Sequence, residues 1–353
     1  MTTKFVLNSL RYLQIIFFSA VILYFGKTLF IPLFFGLFIA IVLYPICHWL
    51  EKRHVHRTIA ITLSISIVVL LFALLVWLLI LQAGTLHRDW PELQRKFDES
   101  LPDLQQWIQD SLGITVPAQN RWWRNALTNV STNAGSMITE VFGKTTSGVL
   151  MLLITPVFTA LFLNGRRNLV LFLEKVTGER FRHRLHTILH ETIHTYFHFI
   201  KGMILVYIIV GILNSLGLLA LGIRYAILFG FLTAIMTIIP YVGIIVAAFV
   251  PITIAWVTKD SLWYPAGVII VFSVVQYLEA NVIFPRVVGT QLDVNTWIIL
   301  AAAIAGGILW GASGMILFIP FVGILKLVSA HIPEWSALHT LLSRNKGVSR
   351  PRL

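Results

Sequence analysis

Long apolar runs separated by short polar connections make up most of this chain. Such runs cover residues 11–28, 29–50, 58–82, 147–164, 202–222 and 262–278, and Lys27 and Pro32 mark the connection between the first two. Several reach the roughly 20 residues that carry a helix across a bilayer core. Two further blocks, 225–257 and 297–328, are overlong and interrupted, the first by Pro240 and Gly243, the second by Gly306, Gly307, Gly311, Gly314 and Pro320. At 1.5 Å of rise per residue, about 33 residues exceed one straight crossing and suffice for two half-helices. The pattern therefore predicts an all-α polytopic membrane protein with about eight transmembrane segments. The blocks 225–257 and 297–328 are either broken spans or re-entrant hairpins, and in the second case six full crossings remain.

Residues 83–146 differ in kind. They hold Trp90, Pro91, many Gln and Asn residues and a near-neutral mixture of charges. Trp90, Leu93, Phe97, Leu101, Leu104, Trp107 and Ile108 recur with helical spacing, which predicts a small amphipathic helical insert outside the membrane. The organisation expected is N-terminal spans at 1–82, the insert at 83–146, a span with a basic helical segment at 147–201, a C-terminal transmembrane core at 202–330 and a basic tail at 331–353.

Composition agrees with the membrane reading. The chain is 57% hydrophobic and 12% charged, about half the charged fraction of a soluble domain. Its mean hydropathy is +0.83. Cys47 is the single cysteine, so neither an internal disulfide nor a cysteine metal site is available. The net charge of +12 lies outside the insert, in the 51–57 loop, in the 166–201 segment (Arg166, Arg167, Lys175, Arg180, Arg182, Arg184) and in the tail. Short basic loops stay cytoplasmic, so both termini are expected inside and the insert outside. No nucleic-acid motif accompanies the charge, and no nucleic-acid partner or cofactor is expected. Lys4 and Arg11 precede the first run without a small-x-small cleavage site, which predicts an uncleaved first span.

The stretch from Gln276 to Leu292 concentrates the candidate chemistry. It carries Gln276, Glu279, Asn281, Arg286 and Gln291 between two apolar blocks. Ionisable groups beside or within membrane segments are costly and face a cavity or a partner. Pro285 and Gly289 are expected to break any helix here, and a broken backbone at that depth survives only against protein or water. The ordinary alternative is a loop with its charges in water.

A second constellation is His190-Glu191-Thr192-Ile193-His194, which matches a zinc-hydrolase pattern. It lies within a stripe of His186, His190, His194 and His198, with His183 nearby. No third ligand is recognisable downstream, and a His-rich polar helix face explains the same residues. Gly143-Lys144-Thr145 resembles the end of a phosphate-binding loop, but Ile138 stands where the first glycine belongs. Any transport is then expected to run on a gradient.

A family resemblance emerges from order and spacing. The two-span start with Pro45 at its exit, the extramembrane insert, Ile239-Pro240-Tyr241-Val242-Gly243, Pro251, Glu279-Ala280-Asn281 with Pro285 and Gly289, Gly306-Gly307, Gly311, Gly314 and Pro320 together resemble the autoinducer-2 exporter family of bacterial membrane proteins. The resemblance implies a polytopic permease of the bacterial inner membrane that passes a small solute by secondary transport. Some members resemble quorum-signal exporters and others Na+/H+ antiporters. Val294-Asn295-Thr296 departs from the family's usual His-Pro or similar pair, and the histidine stripe is not part of the pattern.

The leading expectation is therefore a secondary transporter that exports a small polar solute, such as a quorum-signal molecule, or exchanges cations for protons. Pro240 and Gly243 are expected to form one break in its pathway. Gln276, Glu279, Asn281, Pro285, Arg286 and Gly289 form the polar station, with Glu279 as coupling group and Arg286 either as its resting partner or as a contact to lipid phosphate headgroups. Gly306, Gly307, Gly311, Gly314 and Pro320 form the facing break. The expected partners are membrane lipids, a small solute or monovalent cation or proton, and a second copy of the chain through the glycine-rich faces. Two alternatives stay open, a membrane zinc metalloprotease using His190, Glu191 and His194, and a non-transporting scaffold.

Overall fold

The computed structural model describes residues 14–15, 17–121, 145–238, 242–259, 261–289 and 293–344. Apart from one isolated antiparallel bridge between Val294 and Ser343, the described secondary structure is helical. Helix α1 covers 17–25, and Gly26 separates it from α2, Lys27–Lys52. Pro32 and Pro45 both lie inside α2. The connection expected at Lys27 and Pro32 is thus a single irregular residue, Gly26, because a proline in an apolar helix bends it without ending it when neighbours pack around the kink.

Helix α3 spans Arg57–Leu112, about 84 Å of continuous helix. It runs through the expected boundary at 82 and 83 without a break. Gly113, at φ 68, turns the chain toward the short helix α4, residues 116–121. The Gln119 side chain donates to the carbonyls of Gln105 and Ile114 at 3.0 and 2.7 Å, so α4 is tied to the end of α3. The rest of the insert, 122–144, lies outside the described residues.

Helix α5 covers Thr145–Thr177 and ends at Gly178, φ 78. Helix α6, Glu179–Ala220, joins the basic segment and the fifth apolar run into one rod of about 63 Å. Then come α7 (Ala226–Met236), α8 (Val242–Thr258) and α9 (Trp263–Leu278). A π-helical turn at Glu279–Ile283 and a short α10, Phe284–Val287, extend α9 directly. The chain ends in α11 (Thr296–Trp310), α12 (Ala312–His331), a 3₁₀ turn at Pro333–Trp335 and α13 (Ser336–Leu342).

Among the described residues five stretches are long and apolar enough to cross a membrane: Lys27–Lys52, Arg57–Leu74, Phe181–Ala220, Trp263–Val287 and Ala312–His331. Shorter apolar helices occur at Ala226–Met236, Ala247–Thr258 and Thr296–Trp310. Large apolar side chains such as Phe25, Trp263 and Ile308 are 73–82% exposed, which suits a lipid surface and not water. The chain is an all-α polytopic membrane protein.

The helices divide into two units. One contains the described residues of Met1–Val68, Leu153–Met203 and Val288–Leu353. Its core gathers Ala40, Leu43, Cys47, Ile61 and Leu163 from α2, α3 and α5. Gly36 lets α2 approach α5 closely: a Cβ there would lie 2.6 Å from the Phe158 Cβ. Arg166 bonds the Glu51 carboxylate, and Arg57 donates to the Leu163 carbonyl at 3.0 Å.

The same unit holds the α11–α12 hairpin. Gly311 makes its turn at φ 62 and ψ −143, a region open essentially to glycine alone. Gly306 and Gly314 then bring the two helix backbones together, since a Cβ on either would run into the carbonyl of the other. Phe34 of α2 meets the rings of Trp310 and Phe321 at 5.7 and 5.1 Å. The Tyr196 hydroxyl donates to the Pro320 carbonyl. At the open end of the hairpin, the Asn295 N–H donates to the Leu342 carbonyl at 2.9 Å and the Lys326 ammonium to the Asp293 carbonyl at 2.9 Å.

The second unit contains the described residues of Val69–Leu152 and Ile204–Val287. Its core is Leu218, Ile223, Ala226, Leu228, Phe229, Ile254, Ala255, Val268 and Phe272. Small residues again set the spacing, with Gly230 against Ser215 and Gly217 against Val271. Gly243 sits so close to the Met236 carbonyl that no Cβ would fit, which makes the return from α7 to α8 tight.

Candidate functional site

The polar stretch expected to be broken is helical as far as Val287. Pro285 does not stop it, for a reason visible one turn earlier. A proline in a helix lacks its N–H and presses on the carbonyl four residues back, here Asn281. The Phe284 N–H bonds the carbonyl of Glu279, five residues away, so the ring is wider and the crowding is relieved. Asn281 turns its amide onto the Tyr277 carbonyl at 2.9 Å, which supplies a donor to the backbone beside the widened turn. Gly289, at φ 66, ends the segment, as its freedom in the left-handed region allows.

Glu279 opens this π turn. Such turns cluster at functional sites because they re-aim the side chains around them. Gln276, one turn earlier on the same helix, bears electrostatically on the Glu279 carboxylate, whose Oε2 atom is buried with no hydrogen-bond partner. Tyr207 of α6 lies near enough for its hydroxyl to interact electrostatically with that carboxylate. A buried acceptor left open is costly in an apolar setting.

Arg286 is not the partner of Glu279. It is exposed and donates to the Val282 carbonyl at 3.4 Å. Helical spacing explains this, since seven residues along a helix containing a π turn do not return to the same face.

The other expected positions separate into distinct roles. Gly306 and Gly314 form the close backbone contact, Gly311 the turn, and Gly307 faces the flexible tip of Met315. Pro320 presents its carbonyl to Tyr196. These residues belong to the first unit, and Gln276, Glu279, Asn281, Pro285, Arg286 and Gly243 to the second. Gly289 falls in the first unit. Pro240 lies outside the described residues.

In the histidine stripe, Glu191 faces His331 at 3.5 Å. His194 packs against His198 with ring centroids 4.2 Å apart, and His198 bonds the His194 carbonyl at 2.8 Å. Among the described residues no three His, Cys, Asp or Glu side chains are placed to hold a metal ion.

Two residues that the sequence reading passed over are Tyr207 and Asn214. Asn214 is 2% exposed and its Oδ1 has no partner. The signal was present: an asparagine in the middle of an apolar run is as unusual in a span as a charge beside one.

Comparison with known proteins agrees with this architecture. The family profile described as AI-2E family transporter matches residues 13–334. The putative transport protein YrrI of Bacillus subtilis is 25% identical over 326 residues, which cover 89% of each chain. The putative transport protein YhhT of Escherichia coli K12 is 24% identical over 326 residues, 91% of this chain and 89% of its own. The AI-2 transport protein TqsA of the same organism is 24% identical over 327 residues, 90% of each chain. With the profile spanning nearly the whole helical array, this chain belongs to the AI-2E transporter family and is a multi-pass membrane transporter.

Proposed function

We propose that the protein is a secondary transporter of the bacterial inner membrane that moves a small polar solute, coupled to or exchanged for a proton or monovalent cation at Glu279. The observation that carries this reading is the Glu279 carboxylate, which sits in a π turn of a membrane-spanning helix with one oxygen buried and unpartnered. A fixed charge with no counter-charge in a span is retained where binding and release of a cation or proton is the work done. The relative named for AI-2 transport supports a small polar signal molecule as the solute, and export is the direction implied by the resemblance to the autoinducer-2 exporter family.

In this proposal the basic 51–57 loop, the 166–201 segment and the tail face the cytoplasm, with both termini inside. The insert, led by the far end of α3, stands outside. In the α11–α12 hairpin, α11 with 15 residues extends about 22 Å, less than the roughly 30 Å hydrocarbon core, and is the arm that stops short, whereas α12 is long and apolar enough to cross.

The test is flux in sealed proteoliposomes with a trapped pH dye, given a sodium pulse and then candidate polar solutes. A dye response present with wild-type protein and absent from Glu279→Gln and from empty vesicles supports the proposal. A Glu279→Gln protein that moves solute as wild type does at every pH removes Glu279 from the coupling role.

A further inference from the structure

The hydroxyls buried in the second unit satisfy themselves on their own helices, as groups in an apolar setting must. Ser215 donates to the Gly211 carbonyl at 2.7 Å, Thr233 to Phe229 at 2.6 Å and Thr258 to Ile254 at 2.6 Å. Two side-chain oxygens in this unit's membrane-spanning helices do not. Among the described residues, Asn214 Oδ1 and Glu279 Oε2 are buried there without a hydrogen-bond partner.

They lie on one seam. Gly217 of α6 packs on Val271 of α9 and Leu221 on Gly267, and Tyr207, further back on α6, is within electrostatic reach of Glu279. As the α6 number falls the α9 number rises, so the two helices run antiparallel side by side. Tyr207, Asn214, Gly217 and Leu221 stand at i, i+7, i+10 and i+14, one stripe of a helix. Ser215 and Gly211 belong to the adjoining stripe, which meets Gly230 and Phe231 of α7. Asn214 therefore sits on the side of α6 that faces α9, two turns from Tyr207 and about 10 Å along the axis.

We propose that the α6–α9 seam is a two-station path for a small monovalent cation, with Glu279, Gln276 and Tyr207 as one station and Asn214 as the second. The chemistry is that of oxygen acceptors around one negative charge. Hard cations take oxygen ligands, and Arg286, the nearest cation in sequence, is turned onto Val282. Successive weak stations suit transport, because binding must be strong enough to admit the ion and weak enough to release it. This inference rests on the placement of Glu279 in the pathway proposed above.

The experiment uses the full-length protein in proteoliposomes, with uptake of radioactive sodium measured across a range of sodium concentrations at two pH values. Asn214→Ala is expected to raise the half-saturating sodium concentration about tenfold, the scale of one lost ligand contact, with the maximal rate little changed. Asn214→Asp should keep saturation at or below the wild-type concentration. Tyr207→Phe should shift saturation in the same direction as Asn214→Ala. If Asn214→Ala does not yield monodisperse protein, Asn214→Ser carries the same expectation. Wild-type saturation in Asn214→Ala or Asn214→Ser overturns the second station. Wild-type protein that takes up no sodium, but moves a polar solute in a manner lost in Glu279→Gln, overturns the cation path and leaves the proposed function standing. A Glu279→Gln protein equal to wild type for both sodium and solute removes the proposed function itself.

Discussion

The glycines of the α11–α12 hairpin are chemically alike but mechanically different, and alanine separates them. At Gly314 a new Cβ would collide with the Gly306 carbonyl oxygen, and at Gly306 with that of Gly314. Both obstacles are backbone and yield only if the helices part. Overpacking of that kind costs about 1–3 kcal/mol, against about 1 kcal/mol regained from helix propensity when glycine becomes alanine. The net expectation for Gly306→Ala or Gly314→Ala is a loss of up to about 2 kcal/mol. Gly307→Ala meets the Met315 Cε at 2.7 Å, the movable end of an unbranched side chain. Propensity then decides, and the change should be neutral or stabilising by up to about 1 kcal/mol. Gly311→Ala meets no atom within 4 Å, yet its φ of 62 and ψ of −143 should cost about 1–3 kcal/mol in backbone strain alone. The assay is thermal unfolding of the detergent-purified variants, ranked against wild type at one heating rate. One kcal/mol shifts the midpoint about 2–4 °C in a domain of 150–250 residues, and less in a longer chain. The order expected is Gly307→Ala at or above wild type, with Gly306→Ala, Gly311→Ala and Gly314→Ala below it. Gly314→Ala at or above wild type would refute the close approach of the two helices.

Other consequences follow from polar contacts in the first unit. Glu51→Gln or Arg166→Met alone should destabilise strongly, because each strands a largely buried charge. The double variant should recover part of the loss, with a coupling of about 1–3 kcal/mol in a double-mutant cycle. Tyr196→Phe removes the bond to the Pro320 carbonyl and should lower stability by about 1 kcal/mol, with faster hydrogen exchange along α12. Since Glu191 is engaged with His331, chelator treatment and His190→Ala should leave thermal stability and flux unchanged. Stoichiometric zinc lost in His190→Ala would contradict that arrangement.

The hydrophobic pattern made the helical membrane class legible, because apolar runs of span length have few alternatives in water or lipid. The same pattern located the two interrupted blocks, since only Gly and Pro disturb otherwise uniform sequence there. Helix ends were less legible. Pro32 and Pro285 read as stops, yet both lie inside helices, because packing and a π turn absorb what a proline imposes. The boundary at 82 and 83 was drawn from polarity, which does not report whether a helix continues into water. Glu279 stood out as a charge beside apolar sequence. Asn214 carried a similar signal, a polar group within an apolar run, whereas Tyr207 did not, since a lone tyrosine in a span acquires meaning only from the helix it faces. The pairing of Arg286 with Glu279 failed because the π turn shifts the helix register between them, and the sequence carries no plain sign of such a turn.

The most direct test of the account compares initial proton flux, measured by a trapped pH dye in the same reconstituted vesicles, for wild type, Glu279→Gln and Arg286→Gln. Glu279 has a buried, unpartnered oxygen, whereas Arg286 is exposed and bonded to its own helix. Glu279→Gln is expected to abolish the flux and Arg286→Gln to retain most of it. Flux that survives in Glu279→Gln, or that is lost equally in both variants, would contradict a coupling role built on the Glu279 carboxylate.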